Sequence, residues 1–174
     1  MKKTVAIVLT LLLLGTTAFA KAKEVQINLV LSNDEAKKMP NQKYKYISQP
    51  GGKTKELSVS NEVLLSRPDI QGMIVIKKED TKMKDLPFID IVFTKEGTVK
   101  LETVTTKHLR KSIAIIFGDK VLSAPYIIYP MAKGHVMISH WSVATDEEAA
   151  NLIKEVGFTP IFKGQVGKTF SSTK

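Results

Sequence analysis

From residue 88 onward, apolar side chains alternate between the two-residue period of a strand and the three-and-four spacing of a helix. That succession is compatible with few folds. Ile89, Ile91 and Phe93 fall on one face of a strand predicted over 88–93, with Asp90 on the other. Thr94 then offers a helix cap and Glu96 a first-turn acid, beside Gly97. Leu101, Val104 and His108 follow at spacings of three and four as the expected inner stripe. Residues 113–117 are apolar throughout and predict a strand. Gly118-Asp119 predicts a tight turn with glycine at positive φ, and residues 120–124 the returning strand. After Pro125 come residues 126–129, a turn over 130–134 and a further strand over 135–141. Thr145 and Glu148 form a capping-box pattern ahead of Ala149, Leu152, Ile153 and Val156, with Gly157 as the helix stop and a closing strand over 158–166. Strand, helix, strand, strand, strand, helix, strand is the split βαβ order of a ferredoxin-like α+β sheet with one inserted strand. Its two helices are expected on one face.

The preceding residues predict a smaller, β-rich portion over 21–87. Val25, Ile27, Leu29 and Leu31 alternate with Gln26 and Asn28, the pattern of a half-buried strand. Residues 33–55 are polar and lysine-rich, and read as loop or as a loose hairpin turning at Pro50-Gly51-Gly52. Leu57, Val59, Val63 and Leu65 restore the alternation. Ser66-Arg67-Pro68-Asp69 has the cap and early proline of a short helix. Residues 73–76 form a brief apolar run and 77–84 a charged connector, which places a subdomain boundary near Pro87 and a head-like domain over 88–166. Residues 167–174 read as a frayed tail.

Lys2 and Lys3, an apolar run over 5–14 and a small-residue end at Ala18-Phe19-Ala20 have the pattern of a secretory signal peptide cleaved after Ala20. The run falls short of the roughly 20 apolar residues of a membrane span. A periplasmic location follows, or secretion where no outer membrane exists. Without a cysteine in the chain, disulfides, thiolate catalysis and Cys-ligated zinc are excluded. Loss of Lys2 and Lys3 leaves 24 Lys and Arg against 17 Asp and Glu, a net charge of +7. The excess is local: residues 21–60 carry +4 and residues 101–140 carry +3, whereas 61–100 and 141–174 are neutral. Export argues against nucleic acid as the partner of that charge. Anionic head groups, acidic polypeptide segments and plain solubility remain.

Phe93-Thr94-Lys95-Glu96-Gly97, Val104-Thr105-Thr106, Ile113-Ala114-Ile115-Ile116, Lys120-Val121-Leu122-Ser123-Ala124-Pro125-Tyr126-Ile127 and Glu147-Glu148-Ala149 occur in a telling linear order. The order resembles the first periplasmic domain, the head subdomain, of the SecD and SecDF protein-export subunits. Glu96, Gly97, Ser123, Ala124, Pro125, Glu148 and Ala149 carry most of that resemblance, and Leu64-Leu65-Ser66-Arg67-Pro68-Asp69-Ile70 resembles the segment leading into the head. The chain departs from the family at His108 and Arg110, where asparagine and glycine are usual, at the inverted Gly118-Asp119 turn, and at His140 in place of glycine. The resemblance implies a ferredoxin-like head that contacts emerging polypeptide and has no catalytic residues. It does not extend to the family's membrane helices, and so not to proton-driven work.

Other chemistry finds less support in the residues. Gly164-Gln165-Val166-Gly167-Lys168-Thr169 lacks the glycine a phosphate loop needs at 162, which is Phe, and lacks room for the following helix. Ser123 has no nucleophile elbow around it. Met131, His135, Met137 and His140 are ligand types suited to Cu(I) or Ag(I), the alternative reading as a periplasmic metal carrier. On a strand, however, His140 faces away from His135, and Met137 fits a core position. The leading expectation is a non-catalytic module without cofactor that binds exported or unfolded polypeptide, or an envelope partner. It would act through a sheet edge and an aromatic belt of Tyr126, Tyr129 and Trp141. The competing expectation is that these aromatics fill the core.

Overall fold

The computed structural model describes residues 24–47, 53–77, 86–140 and 143–163. The predicted signal peptide, the Pro50-Gly51-Gly52 turn, most of the charged connector, Trp141, the 164–169 motif and the tail lie outside the described residues. The chain begins with β1 (Val25–Leu31), a four-residue helix α1 (Asn33–Ala36), β2 (Asn41–Tyr46) and the long β3 (Lys55–Ser66). A 3-10 turn over Arg67–Asp69 leads into β4 (Ile70–Ile76) and then β5 (Phe88–Phe93). Helix α2 (Lys95–Lys107), β6 (Ile113–Phe117), β7 (Lys120–Ser123), β8 (His135–Ile138), α3 (Asp146–Glu155) and β9 (Ile161–Phe162) complete it.

The order of elements after residue 88 is the expected one, but the strands do not share one sheet. β6 and β7 belong to a five-stranded sheet ordered β2-β3-β1-β6-β7, and β5 and β9 to a four-stranded sheet ordered β8-β5-β4-β9. Each sheet therefore draws strands from both sides of Pro87. β1 pairs with β6 from Val25↔Phe117 to Leu29↔Ile113, and β4 pairs with β5 from Ile70↔Phe93 to Ile76↔Phe88. The physical reason lies in β6. All five of its residues are buried, so it needs a neighbour on each edge and cover on each face, and β1 supplies one edge.

Both helices close over one core. Leu101 of α2 and Ala149, Ala150 and Ile153 of α3 join Ile27, Leu65, Met73, Ile91, Phe93 and Ile115 from the two sheets. Burying a leucine such as Leu101, which is inaccessible to solvent, contributes about 2–3 kcal/mol. Thr94 caps α2 by accepting from Gly97 N at 2.9 Å. The Thr145 hydroxyl and the Glu148 carboxylate form the reciprocal cap of α3, and Gly157 (φ 79°) ends it.

The inner stripe of α2 differs from the expected one. Gly97, Leu101 and Thr105, four residues apart, are its buried positions, while Val104 and His108 are only part-buried. Thr105 can take that place because its hydroxyl donates to Leu101 O at 2.7 Å. The polar 33–55 stretch holds more order than a loop: a Ser32–Glu35 capping box starts α1, and β2 pairs with β3 from Asn41↔Ser60 to Tyr46↔Lys55. Asn28 is buried rather than outward-facing, since the second face of its sheet carries a small core of Val59, Ala114, Ile116 and Val121. Its Nδ2 donates to Ser60 O and Glu62 O, where β3 bulges against β1. Those bulges expose Val63 and bury Leu64 in its place.

Candidate functional site

The sequence after β7 continues alongside the residues that lead into β6. Ile113 N donates to Pro125 O at 3.1 Å, Ile127 N to Lys111 O at 2.8 Å, and Arg110 N to Ile127 O at 2.9 Å. These bonds fix Ile127, which is fully buried, and turn its neighbours outward. Tyr126, Ile128 and Tyr129 are 56%, 66% and 77% exposed. The two tyrosines therefore do not fill the core. Trp141, the third member of the expected belt, lies outside the described residues.

Two further clamps hold the segment that follows. Thr105 Oγ1 accepts from Met131 N at 2.9 Å, and Gly134 O accepts from Phe93 N at 2.9 Å. Gly134 has φ 70°, and a Cβ there would stand 2.4 Å from Thr98 Oγ1. So fixed, the chain enters β8, the outer strand of the four-stranded sheet, which pairs with β5 from Val92↔His135 to Ile89↔Ile138. Val136 and Ile138 point into the core, and His135 and Met137 point out. Met137 was expected in the core, but the strand alternation places it on the surface, 56% exposed. His135 Nδ1 lies 3.2 Å from Asp90 Oδ1 on the adjacent strand.

The result is a groove of about 490 Å3 bordered by Tyr126, Tyr129, Met131, His135 and Met137. It runs beside an edge strand whose outer main-chain groups have no strand partner among the described residues. Ile128 also lines it and was not singled out from sequence, although its two-residue spacing from Tyr126 across the buried Ile127 was a usable signal. Three of the four possible soft-metal ligands border this groove. His140 does not; it lines a different depression with Lys120 and Val121. Burial first, and then the charge of Lys120, hold the His140 imidazole below its usual pKa. Among the described residues no group of three or more His, Asp or Glu is placed to hold a metal ion.

Most of the residues that carry the family motif serve the scaffold rather than the groove. Gly97 packs against the Asp69 carbonyl, Ser123 ends β7 opposite Ile115, and Pro125 accepts from β6. The Glu148 carboxylate accepts from Ala144 N and Thr145 N, Ala149 is fully buried, and Ala124 packs against the smaller core. Glu96 is exposed in the first turn of α2.

Residues 44–155 match the family model of the SecDF P1 head subdomain. The chain belongs to the SecDF P1 head family. Over 125 residues it is 24% identical to the protein translocase subunit SecD of Acidaminococcus fermentans, covering 66% of this chain and 30% of that protein. Over 75 residues it is 29% identical to the protein translocase subunit SecDF of Thermus thermophilus, covering 43% of this chain and 10% of that protein. The chain thus spans less than a third of the length of these curated relatives. Among solved structures it is similar in fold to SecDF in a super-membrane-facing form, with a TM-score of 0.55 and 18% identity over 78% of this chain and 18% of that one. It is equally similar, at TM-score 0.55 and 19% identity over 78% of this chain and 62% of the other, to a membrane component SecDF described as enhancing protein export. No helix among the described residues of this SecDF-head protein is long and apolar enough to cross a membrane.

Proposed function

We propose that this chain is a non-catalytic protein-binding module of the export pathway, working on the periplasmic or extracellular side of the membrane. In this reading an extended segment of exported or unfolded polypeptide adds to the edge of β8. Tyr126, Ile128 and Tyr129 cover its apolar side chains. The observation that carries the proposal is the juxtaposition of a sheet edge, without strand partner among the described residues, with an exposed aromatic and aliphatic patch. Main-chain hydrogen bonds to an edge strand demand little of the ligand's sequence, and tyrosines add contact area at low entropic cost. Such a surface suits a module that meets many different clients. Membership in the SecDF P1 head family and likeness to a SecDF that enhances protein export give the same direction.

The test places a photocrosslinking residue at Tyr129 or Met137 of the purified protein. It is challenged with a permanently unfolded polypeptide and, separately, with the same polypeptide folded. Crosslinks to the unfolded form that Tyr126→Asp and Ile128→Asp together reduce about tenfold are the expected result, as for loss of two central apolar anchors. Equal labelling of folded and unfolded forms, or no effect of the two substitutions, refutes the proposal.

A further inference from the structure

The other sheet carries a second groove, of different chemistry. The five-stranded sheet curls until its two outer strands, β2 and β7, stand close to each other. Between them lies a depression of about 810 Å3, within the range of known ligand pockets. Tyr44 and Val121 line it with faces that continue the small core of Val59, Ala114 and Ile116. Lys43, Lys45 and Lys120 line it as well, with Asp119 the one lining carboxylate among the described residues. Lys43 is already engaged, 3.0 Å from Glu56, which leaves the groove net positive through Lys45 and Lys120.

This is where the two basic stretches of the sequence meet. Lys43 and Lys45 come from residues 21–60, with net charge +4, and Lys120 from residues 101–140, with net charge +3. Folding gathers charge that lies about 75 residues apart in the chain onto one concavity, because β1 and β3 join β2 to β6 and β7. The outer edge of β2 has no strand partner among the described residues. Lys43 and Lys45 are two residues apart on that strand and so share a face, with Tyr44 and Tyr46 on the opposite one.

We infer that this groove binds an extended acidic segment of a partner polypeptide, its carboxylates toward Lys45 and Lys120. The pleat sets the preferred sequence. Acids at every second position meet the lysines, and the residues between them lie toward Tyr44 and Val121. The site is separate from the β8 edge and does not depend on what that edge binds.

The experiment uses a short fluorescent peptide in which Glu alternates with Val and Thr, its counterpart with Gln for every Glu, and vesicles containing phosphatidylglycerol. Anisotropy is read against the full chain and against Lys45→Glu and Lys120→Glu, with circular dichroism to confirm folding. The Glu peptide is expected to bind. The Gln peptide and each charge reversal should weaken binding about tenfold, and raised salt should weaken it further. Tyr129→Asp, in the groove beside β8, leaves this binding unchanged while lowering capture of unfolded polypeptide, so the two sites fail or succeed independently. Equal affinity for Glu and Gln peptides, no binding of the Glu peptide, insensitivity to the two reversals, or binding to the anionic vesicles alone overturns the inference.

Discussion

Replacing Gly97 by alanine sets two effects of known sign against each other. Gly97 is the third residue of α2, at negative φ, where helix propensity alone favours alanine by about 1 kcal/mol. The structure opposes this. A Cβ at Gly97 would stand 2.0 Å from the carbonyl oxygen of Asp69 and 3.1 Å from Thr94 Oγ1. Restoring ordinary contact at 3.4 Å requires the helix and the 3-10 turn to separate by about 1.4 Å. The oxygen has little freedom to retreat, since it accepts from Thr94 N at 3.0 Å, while the Asp69 carboxylate accepts from Ser66 N at 2.8 Å and pairs with Lys100 at 3.0 Å. Overpacking of this kind costs about 1–3 kcal/mol, and loss of the Thr94–Asp69 hydrogen bond adds about 1 kcal/mol. The propensity gain offsets only the latter, so Gly97→Ala should destabilise by about 1–3 kcal/mol. Urea unfolding followed by circular dichroism measures this as a fall in midpoint at unchanged slope. Gly134 rests on Thr98 of the same helix, so movement of α2 also disturbs the turn that aims β8, and crosslinking at Met137 should fall with stability. A Gly97→Ala protein as stable as the parent, or more so, refutes the close-approach explanation.

Three other perturbations probe the scaffold. Arg110 has φ 64°, a left-handed conformation that glycine adopts without strain, so Arg110→Gly should stabilise by about 0.5–1 kcal/mol after the entropy of the looser unfolded chain is deducted; a lower thermal midpoint contradicts this. Thr105→Val keeps the shape of the side chain but removes the acceptor for Met131 N, at a cost of about 1–3 kcal/mol. Hydrogen exchange at Met131 should accelerate, and unchanged exchange dismisses the clamp. Glu35 is drawn down from 4.5 to about 2, by the Lys111 ammonium at 2.6 Å first and then by the Ser32 backbone N–H and hydroxyl. A carboxyl with a lowered folded pKa adds stability that is complete above its unfolded value and is lost as pH falls toward the folded one. The thermal midpoint should therefore drop between about pH 4.5 and 2, and Glu35→Gln should flatten part of that drop. An identical pH profile in the variant rules out the Lys111 contact as its source.

Local patterns carried the elements well. Thr94, the Thr145–Glu148 box, Gly118 and Gly157 act at close range, through caps and turns within a few residues, and each does in the structure what its neighbours in the chain foretell. The burial of Ile89, Ile91 and Phe93 follows directly from alternation. What misled was the assumption that polarity marks the outside. Thr105 is buried because its hydroxyl donates to Leu101 O one turn back, and Asn28 because its amide donates across the sheet to Ser60 O and Glu62 O, provisions that periodicity does not reveal. Met137, an apolar residue on the surface, shows the converse.

The candidate binding surfaces were only half legible. Tyr126 and Tyr129 could be named from the chain, but their exposure depends on Ile127 being bonded to Arg110 and Lys111, which lie some 16 residues upstream. The convergence of Lys43 and Lys45 with Lys120 has no trace in linear spacing. The amino-acid order by itself settled the succession of strands and helices after residue 88, where α2 and α3 begin, and which family's linear motif the chain follows, because those depend on neighbours within a turn or a pleat. Tertiary structure alone decided that the strands divide between two sheets, since β6 is apolar on both faces and must be enclosed from both. That division places β8 at the outer edge of the described four-stranded sheet and forms the basic groove between β2 and β7.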